Sequence, residues 1–175
     1  MNSKAQKEQR KMKPAEVSMP SDREVLVKRS FDAPVDLVWQ AYTEPAWMRR
    51  WLTAMPGWTM PVCEMTTEVG GTYRWRWRND EIGQEFGFTG EMLEVALHSK
   101  IVHTQIFDPG NLGESMGGEP SIITVTFKET NGITDVATSI KFASQADRDA
   151  AISTGMTDGM EMSYKQLDGL LAGEK

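Results

Sequence analysis

The side chains best suited to acid–base or nucleophilic chemistry in this sequence are His98, His103 and Cys63. His98 falls in a predicted turn, where solvation is expected. His103 falls in a predicted strand and could face inward, but no carboxylate or cysteine is paired with it by spacing. Cys63 is the single cysteine, so no internal disulfide can form, and we expect a small buried side chain rather than a nucleophile.

Arg29 lies on the otherwise apolar face of a predicted strand over residues 24–31. A charge in that position must be neutralised if the face is buried. Arg29 therefore either pairs with an acid such as Glu68 or holds an anionic head group inside a cavity.

The clearest predicted strand, residues 72–79, alternates aromatic with basic side chains. These are Tyr73, Arg74, Trp75, Arg76, Trp77 and Arg78. Because side chains alternate across a strand, one face is aromatic and the other basic. We expect the aromatic face to be core, with polar tips that could orient a ligand. The arginine face is either a solvated exterior or a basic patch for an acidic partner.

Residues 147–171 are predicted to form one long amphipathic helix. Its apolar stripe comprises Ile152, Met156, Met160, Ser163, Leu167 and Leu170. Its opposite face carries Asp158, Glu161, Lys165 and Asp168. Gly155 and Gly159 interrupt good helix formers and flank the stripe. They favour either close packing of the helix on a sheet or, beside flexible methionines, the border of a cavity.

The elements that must position these residues follow a simple order. A strand over 24–31 is followed by two short helices, one opened by Pro34 and one over 46–52. Six strands come next, over 60–69, 72–79, 85–95, 101–107, 121–128 and 134–142. Short turns make them antiparallel. The prediction is an α+β fold with a seven-stranded curved antiparallel sheet around the long C-terminal helix, and a pocket between sheet and helix.

Length and composition indicate one domain over residues 22–175, preceded by a flexible basic tail over 1–21. The chain has 175 residues, of which 39% are hydrophobic and 25% charged, and its net charge is −6. An acidic body argues against nucleic-acid binding. No apolar run is long enough for a membrane span, and the N-terminus lacks a signal core, so we expect a cytoplasmic protein.

Motifs for phosphate, dinucleotide or zinc binding are missing from the sequence, so we expect no cofactor and no metal. The glycine-rich segment 110–118 lacks the lysine that phosphate binding needs. It is either a flexible connection or a lid over the mouth of the pocket.

Several segments resemble the Hsp90-ATPase-activator-like proteins of the START/SRPBCC superfamily. The segments are Arg29–Pro34, Val38–Pro45, Trp51-Leu52, Val69–Arg74, Gly155–Met160 and Leu167–Leu171. The resemblance covers residues 24–172. It implies a helix-grip fold, in which a curved antiparallel sheet grips the C-terminal helix around a cavity. Function is left open, because the superfamily includes lipid carriers, hormone receptors, cyclases and co-chaperones.

Three functions remain at this point. The first is a non-catalytic protein that binds a small apolar or amphipathic ligand. Its predicted cavity residues are Arg29, Tyr73, Trp75, Trp77, Phe88, Met92, His103, Met156 and Met160. The second is a co-chaperone-like module that docks on a chaperone through exposed arginines. The third is an enzyme of the polyketide-cyclase type, for which only His103 and Arg29 are available as an acid–base pair.

Overall fold

The computed structural model describes residues 10–111 and 118–173, and this part of the chain forms eight strands and four helices. The strands are β1 (Glu16–Ser18), β2 (Glu24–Phe31), β3 (Thr59–Met65), β4 (Thr72–Asn79), β5 (Gln84–Ala96), β6 (Lys100–Asp108), β7 (Ser121–Thr130) and β8 (Ile133–Lys141). The helices are α1 (Val35–Thr43), α2 (Pro45–Trp51), α3 (Gln145–Ser153) and α4 (Met156–Gly173). The α+β helix-grip architecture predicted from the sequence is confirmed.

All eight strands join one open antiparallel sheet in the order β1-β2-β8-β7-β6-β5-β4-β3. Strands β3 to β8 are connected as successive neighbours, and the early strand β2 pairs with the last strand, β8. The β7–β8 turn contains Asn131 and Gly132 with φ of 53° and 78°. Asn and Gly tolerate positive φ, which explains why the tight turn falls on this dipeptide.

The sheet has eight strands rather than the predicted seven, because Glu16–Ser18 pairs with the edge strand β2. This strand lies within the segment predicted to be a flexible tail, so that prediction is wrong for residues 16–18. The backbone N–H of Ala15 also donates to Glu161 Oε2 at 2.9 Å. An exposed strand edge offers unpaired backbone groups that even a polar segment can satisfy. Residues 1–9 of the predicted tail lie outside the described residues.

The predicted single helix over 147–171 is two helices, α3 and α4, separated at Gly155. Gly155 has a φ of +79°, which ends α3 in the left-handed conformation that glycine adopts most easily. Its carbonyl accepts from the N–H of Gly159 at 3.1 Å and so begins α4. The apolar period continues across the break, which is why periodicity alone predicts one helix.

The main core lies where α1, α2 and α4 cover one face of the sheet. Phe31 of β2, Val38 of α1 and Leu167 of α4 are completely buried there. Pro45 occupies the first turn of α2, and the indole N–H of Trp51 donates to the Ala41 carbonyl at 2.9 Å, which fixes α2 against α1. None of the helices in the described ranges combines the length and apolar character of a membrane span.

Candidate functional site

A cavity of about 350 Å³ lies between the sheet and helix α4. Strands β3 to β8 form one wall, α4 forms the opposite wall, and α1 and α2 close one side. Its lining side chains are Tyr42, Met48, Trp51, Leu52, Ala54, Met55, Met65, Trp75, Trp77, Phe86, Phe88, Ile101, His103, Gln105, Ile123, Val125, Thr138, Ile140, Met156, Gly159, Met160, Ser163 and Tyr164. Most of this surface is apolar, which is typical of small-molecule sites.

The sheet wall is built by strict alternation along each strand. Trp75 and Trp77 of β4 face the cavity, and their direct partners on β5 are Phe88 and Phe86. The rings of Trp77 and Phe86 are stacked with centres 5.3 Å apart. Cross-strand aromatic pairs of this kind stabilise a sheet and present broad flat surfaces to whatever lies above them.

The helix wall is a single face of α4. Met156, Gly159, Met160 and Ser163 recur at spacings of three and four residues and line the cavity. A β-carbon added at Gly159 would meet no atom within 4 Å, so the space above this residue is open. Of the two interpretations of the helix glycines, the cavity border describes Gly159, whereas Gly155 serves the helix break.

His103 is the main polar group of the sheet wall, and it is 5% exposed. Its Nδ1 lies 2.9 Å from the Thr104 carbonyl oxygen. A carbonyl only accepts, so Nδ1 carries the proton. Burial lowers the pKa of the imidazole, and the bond to Thr104 opposes this effect only in part. The neutral ring therefore keeps a lone pair on Nε2, which makes no hydrogen bond within the described part of the chain.

The three cavity tryptophans differ in how their indole N–H groups are satisfied. Trp51 donates to Ala41 and Trp77 donates to the Leu52 carbonyl, each at 2.9 Å. The buried Nε1 of Trp75 has no partner among the described residues. A buried donor without a partner costs free energy that a ligand acceptor could recover.

The remaining polar groups near α4 are hydroxyls. Tyr42, Thr138 and Tyr164 line the cavity close to one another, and the buried Tyr42 hydroxyl has no hydrogen-bond partner among the described residues. Burial raises the pKa of Tyr164 to about 12 and also raises the pKa of Tyr42. Both phenols therefore remain neutral at physiological pH. No Asp, Glu, Lys or Arg of the described ranges lines the cavity, so the site as a whole is uncharged.

A comparison with protein families identifies the family of this chain. The family described as "Activator of Hsp90 ATPase homolog 1-like protein" matches residues 32–172. The chain belongs to this family. Its membership confirms the resemblance inferred from Arg29–Pro34 and the later segments, and family and fold together support a ligand-binding or co-chaperone-like module.

Solved structures of the same fold agree with this assignment to the activator-like family. A Rhodobacter sphaeroides protein is 27% identical with a TM-score of 0.82, and the match covers 92% of this chain and 99% of that one. A Mycobacterium smegmatis protein is 19% identical with a TM-score of 0.78, covering 92% and 97%. A Nitrosomonas europaea protein is 22% identical with a TM-score of 0.75, covering 89% and 98%. The last two show the fold alone. A comparison with curated proteins finds no match.

Six of the nine residues predicted for the cavity line it in this family member. They are Trp75, Trp77, Phe88, His103, Met156 and Met160. Met92 is completely buried and does not line the cavity, although it lies opposite His103 in the β5–β6 pairing and so on the same face of the sheet. Tyr73 packs against the rings of Trp75 and His103, and its hydroxyl donates to the Thr104 carbonyl at 2.6 Å. Both residues support the wall without contributing to its surface.

Arg29 lies outside the cavity. It forms an ion pair, but the prediction of Glu68 as its partner is wrong. The guanidinium lies 2.6 Å from Asp168 Oδ2 and 3.3 Å from Glu161 Oε2, both on α4. The face of α4 opposite the predicted apolar stripe therefore contacts β2 through the carboxylates of Glu161 and Asp168. Since Arg29 and His103 do not meet in the cavity, the acid–base pair considered for a cyclase is not assembled.

Several lining residues were missed by the sequence analysis. Ile123 and Val125, like Thr138 and Ile140, obey the period-two pattern and could have been found by extending it to β7 and β8. Tyr42, Trp51 and Met55 lie on or after the two short helices, and only tertiary packing brings them to the cavity. The predicted lid over 110–118 falls largely on residues 112–117, which lie outside the described residues.

Proposed function

We propose that this protein binds a small, mainly apolar molecule in the cavity and does not transform it. The observation that carries this proposal is the cavity of about 350 Å³ between two apolar walls, which is open above Gly159. A ligand that covers these walls removes apolar surface from water, which favours binding by roughly 25 cal/mol per Å².

The composition of the walls supports a binding role. Five methionines line the cavity without filling it, namely Met48, Met55, Met65, Met156 and Met160. Methionine side chains are unbranched and polarizable, so they adapt to ligands of different shape. Met55 is 40% exposed and marks a place where the cavity meets solvent. These features suit uptake and release of a ligand.

The arginine face of β4 gives less support to chaperone docking. Arg76 Nε lies 2.6 Å from Glu85 and its Nη1 bonds Asp108, while Arg78 Nε lies 2.8 Å from Asp80. These carboxylates neutralise much of the face that was considered as a basic patch. The cavity therefore remains the better-supported site of function.

A matched pair of glycine substitutions on α4 tests the proposal. Gly159→Leu places a side chain into the open space, whereas Gly169→Leu places the same side chain on the exposed surface of the same helix. Native mass spectrometry of protein purified gently from its own cells measures the mass carried by each form. We expect the wild-type protein and Gly169→Leu to carry a small molecule and Gly159→Leu to carry none.

Two outcomes would count against the proposal. If Gly159→Leu retains the same added mass, the ligand lies elsewhere. If no form carries or takes up any apolar probe under saturating conditions, the cavity does not bind such molecules. Met160→Trp fills the same space from the next position and provides an independent check, with Met162→Trp, 42% exposed, as its control.

A further inference from the structure

The polar groups of the cavity define the chemistry of its ligand more narrowly than its apolar walls do. We infer that the ligand is an uncharged molecule with a hydroxyl group, and that this hydroxyl donates a hydrogen bond to Nε2 of His103. The inference rests on the proposed function and specifies the ligand class for the same cavity.

The first argument is the fixed tautomer of His103. Its Nδ1–H donates to the Thr104 carbonyl at 2.9 Å, which leaves Nε2 as an acceptor. The residue is only 5% exposed. No described residue donates to Nε2, and the ring lines the cavity, so a donor for Nε2 has to come from what occupies the cavity. A ligand hydroxyl supplies the missing donor.

The second argument is the neighbouring indole. The rings of Trp75 and His103 lie at 78° to one another with centres 6.1 Å apart, and both line the cavity. The Nε1 donor of Trp75 is buried without a partner among the described residues. The two rings therefore present one unused acceptor and one unused donor, a combination that suits an alcohol or phenol, which can donate and accept.

The third argument is the absence of charge. The lining residues from the described ranges include no cationic side chain that could neutralise a carboxylate, and no anionic one that could neutralise an amine. Burial also lowers the pKa of His103, so the imidazole supplies no positive charge at neutral pH. An ionised ligand would lose its hydration without compensation, which strongly disfavours it.

A probe series separates the hydroxyl contact from simple apolar binding. The probes are 2-naphthol, its apolar isostere 2-methylnaphthalene, and the anion 2-naphthoate. In imidazole ¹⁵N spectra of the wild-type protein, we expect 2-naphthol to shift the Nε2 resonance of His103 and 2-methylnaphthalene to leave it in place. We expect 2-naphthoate to bind at least about tenfold more weakly than either neutral probe.

A substitution cycle measures how much the contact between the ligand hydroxyl and His103 contributes to affinity. His103→Leu removes the acceptor, and the Thr104 carbonyl keeps its hydrogen bond from Tyr73. We expect the ratio of 2-naphthol to 2-methylnaphthalene affinity, measured by calorimetry, to fall about tenfold in His103→Leu. His98→Asn, in the exposed turn before β6 and outside the cavity, should leave that ratio unchanged, whereas Gln105→Leu removes the alternative acceptor on the same strand.

The results distinguish the two levels of the argument. If both neutral probes bind but the Nε2 resonance does not move, or the ratio changes less than twofold, the hydroxyl inference is overturned while the binding function stands. If the ratio falls in Gln105→Leu instead, the hydroxyl contacts Gln105 and the assignment to His103 is overturned. If neither neutral probe binds, the proposed binding function fails and the inference fails with it.

Discussion

At the scale of single residues, His103 and Arg29 show how burial decides what a polar side chain does. Both lie on inward faces of strands and both are about 5% exposed or less. Arg29 is surrounded by two carboxylates of α4 and holds the helix on the sheet. Among the described residues, the hydrogen-bond partner of His103 is the Thr104 carbonyl, and the ring remains neutral, as the proposed contact of its second nitrogen with a ligand requires.

The neutral state of His103 predicts an acid-sensitive fold. Since its folded pKa lies below the unfolded value of 6.5, the unfolded chain takes up a proton first as the pH falls. The contribution of neutral His103 to the free energy of unfolding is present above pH 6.5 and is lost as the pH falls towards the folded pKa. Between pH 6.5 and 5 we expect a loss of at most about 2 kcal/mol in the free energy of unfolding.

Urea denaturation at a series of pH values measures this loss. His103→Leu should flatten the profile in this range, whereas His98→Asn, in the exposed turn with φ of +61°, should preserve it. The rings of Tyr73 and Trp75 pack against His103. No carboxylate of the described residues contacts it. An unchanged slope in His103→Leu would assign the acid sensitivity to other groups.

Arg29→Met is expected to destabilise the fold, because it leaves Glu161 and Asp168 without the guanidinium that neutralises them. These carboxylates are 18% and 23% exposed, so water compensates in part and we expect a loss of about 2 kcal/mol. Arg78→Met removes a pair whose members are 47% and 75% exposed and should cost less than about 0.5 kcal/mol. Equal midpoints in urea for the two variants would contradict this account.

At the scale of elements, one glycine decides the length of two helices. Gly155 has positive φ, no atom lies within 4 Å of an added β-carbon, and the residue is exposed. Gly155→Ala therefore introduces only backbone strain, and we expect a loss of about 1 kcal/mol.

The matched substitution Gly169→Ala should have the opposite sign. Gly169 lies inside α4, is exposed, and has open space around an added β-carbon. Alanine there should stabilise the protein by roughly 0.5–1 kcal/mol. Thermal denaturation of the two variants measures both effects, and a stabilising Gly155→Ala would show that α3 and α4 can join as one helix.

At the scale of the whole molecule, the cavity is bounded by both the sheet and α4, so its occupant should stabilise their association. At a ligand concentration of one hundred times Kd, the folded state gains about 2.7 kcal/mol by mass action. We expect 2-methylnaphthalene to raise the Tm of the wild-type protein and of Gly169→Leu. Gly159→Leu should show no rise, and a rise equal to that of the wild-type protein would place the binding site outside the cavity.

The sequence by itself determined the helix-grip fold and most strand boundaries. Period-two alternation predicted β2 and β4 at their observed bounds, Glu24–Phe31 and Thr72–Asn79, because one face of each strand is buried. The same alternation gave Trp75 and Trp77 one shared face, which lines the cavity, and allowed His103 an inward side, which lines it as well. Local patterns carry this information because side-chain direction along a strand or helix is fixed by backbone geometry.

Only the tertiary structure decided which charges meet, where the long helix breaks and which segment completes the sheet. The partners of Arg29 lie 132 and 139 residues away in the chain, and β1 is held by pairing with β2 despite its polar sequence. The φ of Gly155 and the open space at Gly159 likewise follow from how α4 sits on the sheet. These features depend on contacts between distant segments, and a periodic pattern records only which way a side chain points, not what it meets.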